Sequence, residues 1–108
     1  MIFFEIIGHL KSIEKAQNFI KSELLNAEFD QIDTCLKGSL EVRSEVRFFD
    51  AETIPSSLLV EIDREQLVNL FPLNLLQEMI EEYENIPGRK LTNLEIARKI
   101  LEYRMKDA

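Results

Sequence analysis

Cysteine is almost missing from this chain: Cys35 stands alone among 108 residues. An intramolecular disulfide and a cysteine-based metal cluster are therefore excluded, and a lone thiol fits a reducing compartment, with the cytoplasm as the expected location. Histidine is as scarce, with His9 alone, and tryptophan is absent. Three glycines and three prolines are too few for a collagen-like or low-complexity chain. The sequence has no Walker lysine, glycine-rich phosphate loop, His-Glu-x-x-His pair, calcium-binding loop or Gly-x-Ser-x-Gly elbow. It also lacks an apolar run long enough to span a bilayer. Residues 1–7 are apolar but few, are interrupted by Glu5 and carry no basic leader, so neither a signal peptide nor a lipid anchor is expected.

What is present is the composition of an ordinary globular domain, 45% hydrophobic and 31% charged. A chain of this length makes one domain, residues 1–108, around one modest core, with no internal repeat. Twenty acids against thirteen bases give a net charge of −7. That sign repels nucleic acid and anionic membrane and favours a basic protein partner. The charge is also uneven, because residues 1–86 hold seventeen acids and seven bases while residues 87–108 hold three acids and six bases. These opposite parts permit a head-to-tail contact between copies. Residues 50–84 are the extreme, with nine acids and only Arg64 as a base.

Local patterns predict the elements. The apolar run over residues 2–7 reads as a strand buried on both faces, ending at Gly8. After Ser12 as N-cap, Ile13, Ala16, Phe19, Ile20 and Leu24 recur at helical spacing. Beyond Asn26 the period shortens to two. Ile32, Thr34 and Leu36, a turn at residues 37–39, and then Leu40, Val42, Val46 and Phe48 read as a hairpin. Its second strand would place Glu41, Arg43, Glu45 and Arg47 on the solvent face, where cross-strand ion pairs are expected.

A loop around Pro55 precedes a short strand through Leu58, Leu59, Val60 and Ile62. Asp63 with Gln66 reads as a capping pair for a helix over Leu67, Val68, Leu70 and Phe71, which Pro72 then breaks. The next helix, started by Pro72, sets Leu73, Leu75, Leu76, Met79, Ile80 and Tyr83 on one side. Asn74, Gln77, Glu78, Glu81 and Glu82 fall on the other. Residues 86–88 end that helix. Thr92 and Glu95 form a capping box for a last one through Leu94, Ala97, Ile100, Leu101 and Met105. The expected fold is α+β: an antiparallel sheet of about four strands covered by helices, with the C-terminal half mainly helical.

Chemistry has few candidates. His9 is the sole possible histidine base and has no serine or cysteine beside it in sequence, while Cys35 reads as a small buried strand residue. Glu78, Glu81 and Glu82 lie within one helical turn and could face one hard metal ion, but the same spacing describes any exposed acidic face. Residues 91–100 look like the first helix of a helix-turn-helix unit, yet no recognition helix follows, so direct nucleic-acid binding is not expected. No cofactor, metal or catalytic residue is assigned.

In size, acidity and lack of a catalytic motif the whole chain resembles the immunity proteins of bacteriocins and of contact-dependent growth inhibition systems. That resemblance implies a bacterial inhibitor, not an enzyme, which binds and blocks a basic toxin such as a nuclease. A carboxylate-rich face can occupy the site where such a toxin holds phosphates and can steer fast association. The candidate partner-binding residues are Glu78, Glu81, Glu82, Asp50, Glu52, Glu61, Asp63 and Glu65. Two alternatives stand beside this reading. One is an adaptor or regulatory subunit that uses an apolar patch, Tyr83 with Ile86 or Tyr103 with Ile96. The other is a small carboxylate-dependent hydrolase.

Overall fold

A computed structural model describes residues 1–23, 28–53, 57 and 59–107. The parts of the sequence reading that fall on Leu24, Asn26, Pro55 and Leu58 lie outside the described residues. The domain is α+β. A four-stranded antiparallel sheet is built from β1 (Ile32–Lys37), β2 (Val46–Asp50), β3 (Leu59–Ile62) and β4 (Glu65–Pro72), in the order β2-β1-β4-β3. One sheet face packs on α1 (Phe3–Ile6), α2 (Ile13–Glu23), α3 (Leu73–Glu84) and α4 (Asn93–Asp107). Ile32, Leu36, Val46 and Leu70 reach that core from the strands, and Leu76, Ile80, Ile96 and Ile100 meet them from α3 and α4.

Three elements differ from the sequence reading. Residues 2–7 are not a strand: α1 runs directly into a 3-10 turn at Ile7–His9. Phe3, Ile6, Ile7 and Leu10 are all fully buried, the i, i+3, i+4, i+7 stripe of a helical face. An apolar run broken only by Glu5 carries both periods, and packing against α4 selects the helical one. The segment still touches the sheet, because the Val46 N–H donates to the Met1 carbonyl at 3.0 Å and the Phe3 N–H to the Ser44 carbonyl at 2.9 Å.

The hairpin of β1 and β2 is as expected, but its second strand begins only at Val46. Residues 38–45 fold into a turn-rich loop held by the Ser44 hydroxyl, which donates to the Ser39 carbonyl at 2.6 Å. Gly38 enters that loop at φ +80°, a conformation glycine adopts without strain. Glu41 and Arg43 therefore leave the solvent ladder, and the Arg43 guanidinium sits 5.6 Å over the Phe4 ring instead. Cross-strand ion pairing does occur through Arg47: Glu65 of β4 binds it at 3.2 Å and Lys37 at 3.1 Å, and Arg47 also binds Glu45 at 2.9 Å.

Asp63 caps no helix, and Leu67, Val68, Leu70 and Phe71 belong to the central strand β4. Asp63 and Arg64 both have positive φ, 51° and 67°, and form the two-residue turn joining β3 to β4. Between Thr34 and Cys35 the β1–β4 register slips, leaving a bulge at Leu70. Arg104 of α4 closes it, donating from Nε to the Leu70 carbonyl at 3.0 Å and from Nη2 to the Asn69 carbonyl at 3.1 Å. Arg104→Met keeps the stem and removes both donors, so we expect a loss of about 1–3 kcal/mol in stability, read as a lower urea midpoint at an unchanged m-value. An unshifted midpoint would show that water satisfies the bulge equally well.

The capping box forms as read. The Thr92 N–H donates to the Glu95 carboxylate at 3.0 Å, and the Glu95 N–H to the Thr92 hydroxyl at 3.1 Å. The helix it starts runs unbroken to Asp107, so the segment resembling a helix-turn-helix unit is one continuous helix. Ser12 likewise caps α2, its hydroxyl accepting the Lys15 N–H at 3.2 Å.

Candidate functional site

The eight candidate acids fall in three places. Asp50 closes β2 opposite Ile32, and its carboxylate accepts the Glu52 N–H at 3.0 Å. Glu61, Asp63 and Glu65 sit on the β3–β4 hairpin, whose turn lies at the other end of the sheet, beside Lys37. Five residue steps along β1, from Ile32 to Lys37, separate those two ends by about 17 Å. Glu78, Glu81 and Glu82 lie on α3, exposed.

Not all of these carboxylates are available to a partner. Glu65 is tied to Lys37 and Arg47, which hold its carboxyl below the usual carboxylate range. Glu84, from the same acidic segment, binds Lys11 at 2.6 Å. Among the described residues no ion pair engages Glu52, Glu61, Asp63, Glu78, Glu81 or Glu82.

On α3 the helix period divides the three glutamates. Pro72, extended at φ −54° and ψ 142°, ends β4 and precedes the helix, and the Asn85 N–H closes it on the Glu81 and Glu82 carbonyls. Leu73, Leu76, Gln77 and Ile80 are buried, whereas Leu75 is 42% exposed. Gln77 thus lies on the core side and Leu75 on the solvent side, the reverse of the expected split. The Gln77 amide is accommodated by the Leu10 carbonyl at 3.4 Å and the Glu81 carboxylate at 3.3 Å, which turns Glu81 toward that flank. Glu78 and Glu82 lie on the other side. They border an open groove of about 300 Å³ between α3 and α4, floored by Leu75, Met79, Tyr83 and Tyr103.

Tyr103 reaches this groove from α4, its ring 6.1 Å from that of Phe71. The sequence pattern pairs Tyr83 with Ile86 and Tyr103 with Ile96. Ile96 is fully buried, and the two tyrosines instead line one groove. The spacing of Leu75, Met79 and Tyr83 was visible in the sequence, but their meeting with Tyr103 requires the helix pair to pack. Apolar floor, paired aromatics and acidic rim together suit contact with a protein surface.

The other two chemical candidates, Cys35 and His9, lie away from the groove. Cys35 is wholly buried beside Leu67 on the sheet face away from the helices, and burial, reinforced by the Asp33 carboxylate, pushes its thiol up to about 11. His9 is exposed and stacks on Phe19 with ring centroids 4.6 Å apart. Among the described residues no group of three or more His, Cys, Asp or Glu side chains could hold a metal ion, and no helix is long and apolar enough to cross a membrane.

The site is therefore that of an α+β domain whose helical layer presents an acidic-rimmed apolar groove. Comparison with protein-family models, with curated proteins and with solved structures found no match to this chain.

Proposed function

We propose that this protein is an inhibitor that docks on a basic surface of another protein, an immunity protein that blocks a toxin such as a nuclease in the cytoplasm. The observation that carries the reading is the position of Glu78 and Glu82. Both are exposed, neither is ion-paired within the described chain, and both border a groove floored by Leu75, Met79, Tyr83 and Tyr103. The carboxylates attract Lys and Arg over long range, and the floor takes their aliphatic stems and neighbouring apolar side chains on contact. Glu61 and Asp63 at the hairpin, with Asp50 and Glu52 at the end of β2, add to the attracting field from outside that footprint.

The test is capture of basic proteins from a lysate of the source organism at low and high salt, followed by association rates for the captured partner. Glu78→Gln with Glu82→Gln is expected to slow association about tenfold and to flatten its salt dependence, with the fold unchanged by circular dichroism. Unaltered association would remove this face from the interface. The groove floor also favours a second reading, an adaptor bound mainly by apolar contact. In that case Tyr83→Ala would abolish binding, whereas salt and the glutamine substitutions would leave it intact.

A further inference from the structure

We propose that the α3–α4 face pairs with the same face of a second copy, in a closed two-fold dimer held by the groove and its charged borders. The rank of side chains next to the groove differs in sign between the two helices, with exposed Glu102 lying one rank further round α4, beyond the lysines. On α3, Glu78 and Glu82 flank the stripe of Leu75, Met79 and Tyr83. On α4, Lys99, Tyr103 and Lys106 recur at i, i+4 and i+7 and share a face, so the two lysines flank the tyrosine that enters the groove. Among the described residues neither lysine and neither glutamate makes an ion pair within the chain. Leu75 and Tyr103 are 42% and 48% exposed, an apolar strip running between a negative and a positive border.

Such a strip is self-complementary under one rotation. A two-fold axis along the groove sets each α3 against the partner copy's α4, so Glu78 and Glu82 meet the other copy's lysines and the apolar strips meet at the axis. An axis across the groove would set α3 on α3 and oppose like charges, which disfavours it. Because the acidic rank of α3 and the lysine rank of α4 lie side by side, the contact closes on itself, unlike a head-to-tail arrangement that would continue into a filament. This inference does not depend on the inhibitor reading. A basic partner seated on the same groove would compete with the second copy.

The experiment is sedimentation equilibrium of the full chain from about 1 µM to about 500 µM at low and high salt. Wild type is expected to dimerise with concentration, and less so as salt rises. Glu78→Lys with Glu82→Lys, and separately Lys99→Glu with Lys106→Glu, should each raise the dimer dissociation constant at least about tenfold, because both place like charges in contact. Mixing the two variants should restore a dimer, since every border then meets its opposite. Circular dichroism confirms that each variant is folded. A wild type that stays monomeric throughout, a dimer that survives either double substitution, or folded variants that fail to pair with each other would overturn the proposal.

Discussion

Replacing Phe3 by alanine is expected to lower the unfolding free energy by about 3–5 kcal/mol, enough to remove a large part of the stability of a domain this small. The side chain is fully buried on α1, within the cluster that joins Ile7, Leu10, Ile96 and Ile100. Its loss removes the burial of a whole ring and leaves a cavity that the surrounding helices refill only in part. Phe4, the next residue, is only half-buried beneath Arg43, so Phe4→Ala should cost far less. Urea unfolding of both variants checks this contrast. The outcome also separates the two periodicities of the N-terminal run, since equal losses at both positions would fit a strand buried on both faces and contradict the helical stripe.

Cys35 is expected to contribute a fall in stability between pH 9 and pH 11 that is absent from Cys35→Ala. Burial, and then the Asp33 carboxylate, raise the thiol from its ordinary 9.0 to about 11 in the folded protein. Below pH 9 the thiol is protonated in both states and the shift has no effect. Above pH 9 the unfolded chain releases the proton while the folded chain keeps it. The folded state then binds more protons, and each further pH unit costs about 1.4 kcal/mol, or about 2–3 kcal/mol over the window. Other groups titrate there too, so the measurement is the difference between wild type and Cys35→Ala in urea midpoints at each pH. Parallel curves would mean that Cys35 ionises equally easily in both states. The same burial predicts that a thiol reagent labels Cys35 only as fast as the chain opens.

Where sequence signals were local and chemically specific, they were legible. Thr92 and Glu95 could be read as a capping box because both partners lie within one turn, and both bonds form. Ser12 gave α2 its start for the same reason. The β3–β4 turn was hidden because Asp63 and Arg64 adopt left-handed conformations without the glycine that usually advertises them, so Asp63 passed for a helix cap. Downstream, Leu67, Val68, Leu70 and Phe71 form the kind of near-continuous apolar run that a central strand and a buried helix share. The site was half legible. Glu78 and Glu82 were identified as outward-facing, but Glu81 is drawn to the other flank by Gln77, a buried amide that polarity alone would have left in solvent.

The α+β class, the acidic net charge and the amphipathic C-terminal helices are written in the chain directly, because composition and charge are sums over residues and helical spacing is local. Which apolar runs became strands, which carboxylates paired with Lys11, Lys37 and Arg47, and which side chains lined a groove were settled by packing. Those outcomes depend on contacts between residues far apart in sequence. Lys11 finds Glu84 across seventy-three positions, and Arg104 finds the bulge at Leu70 across thirty-four. No local pattern carries such a pairing; it exists only once the sheet and the helices have packed.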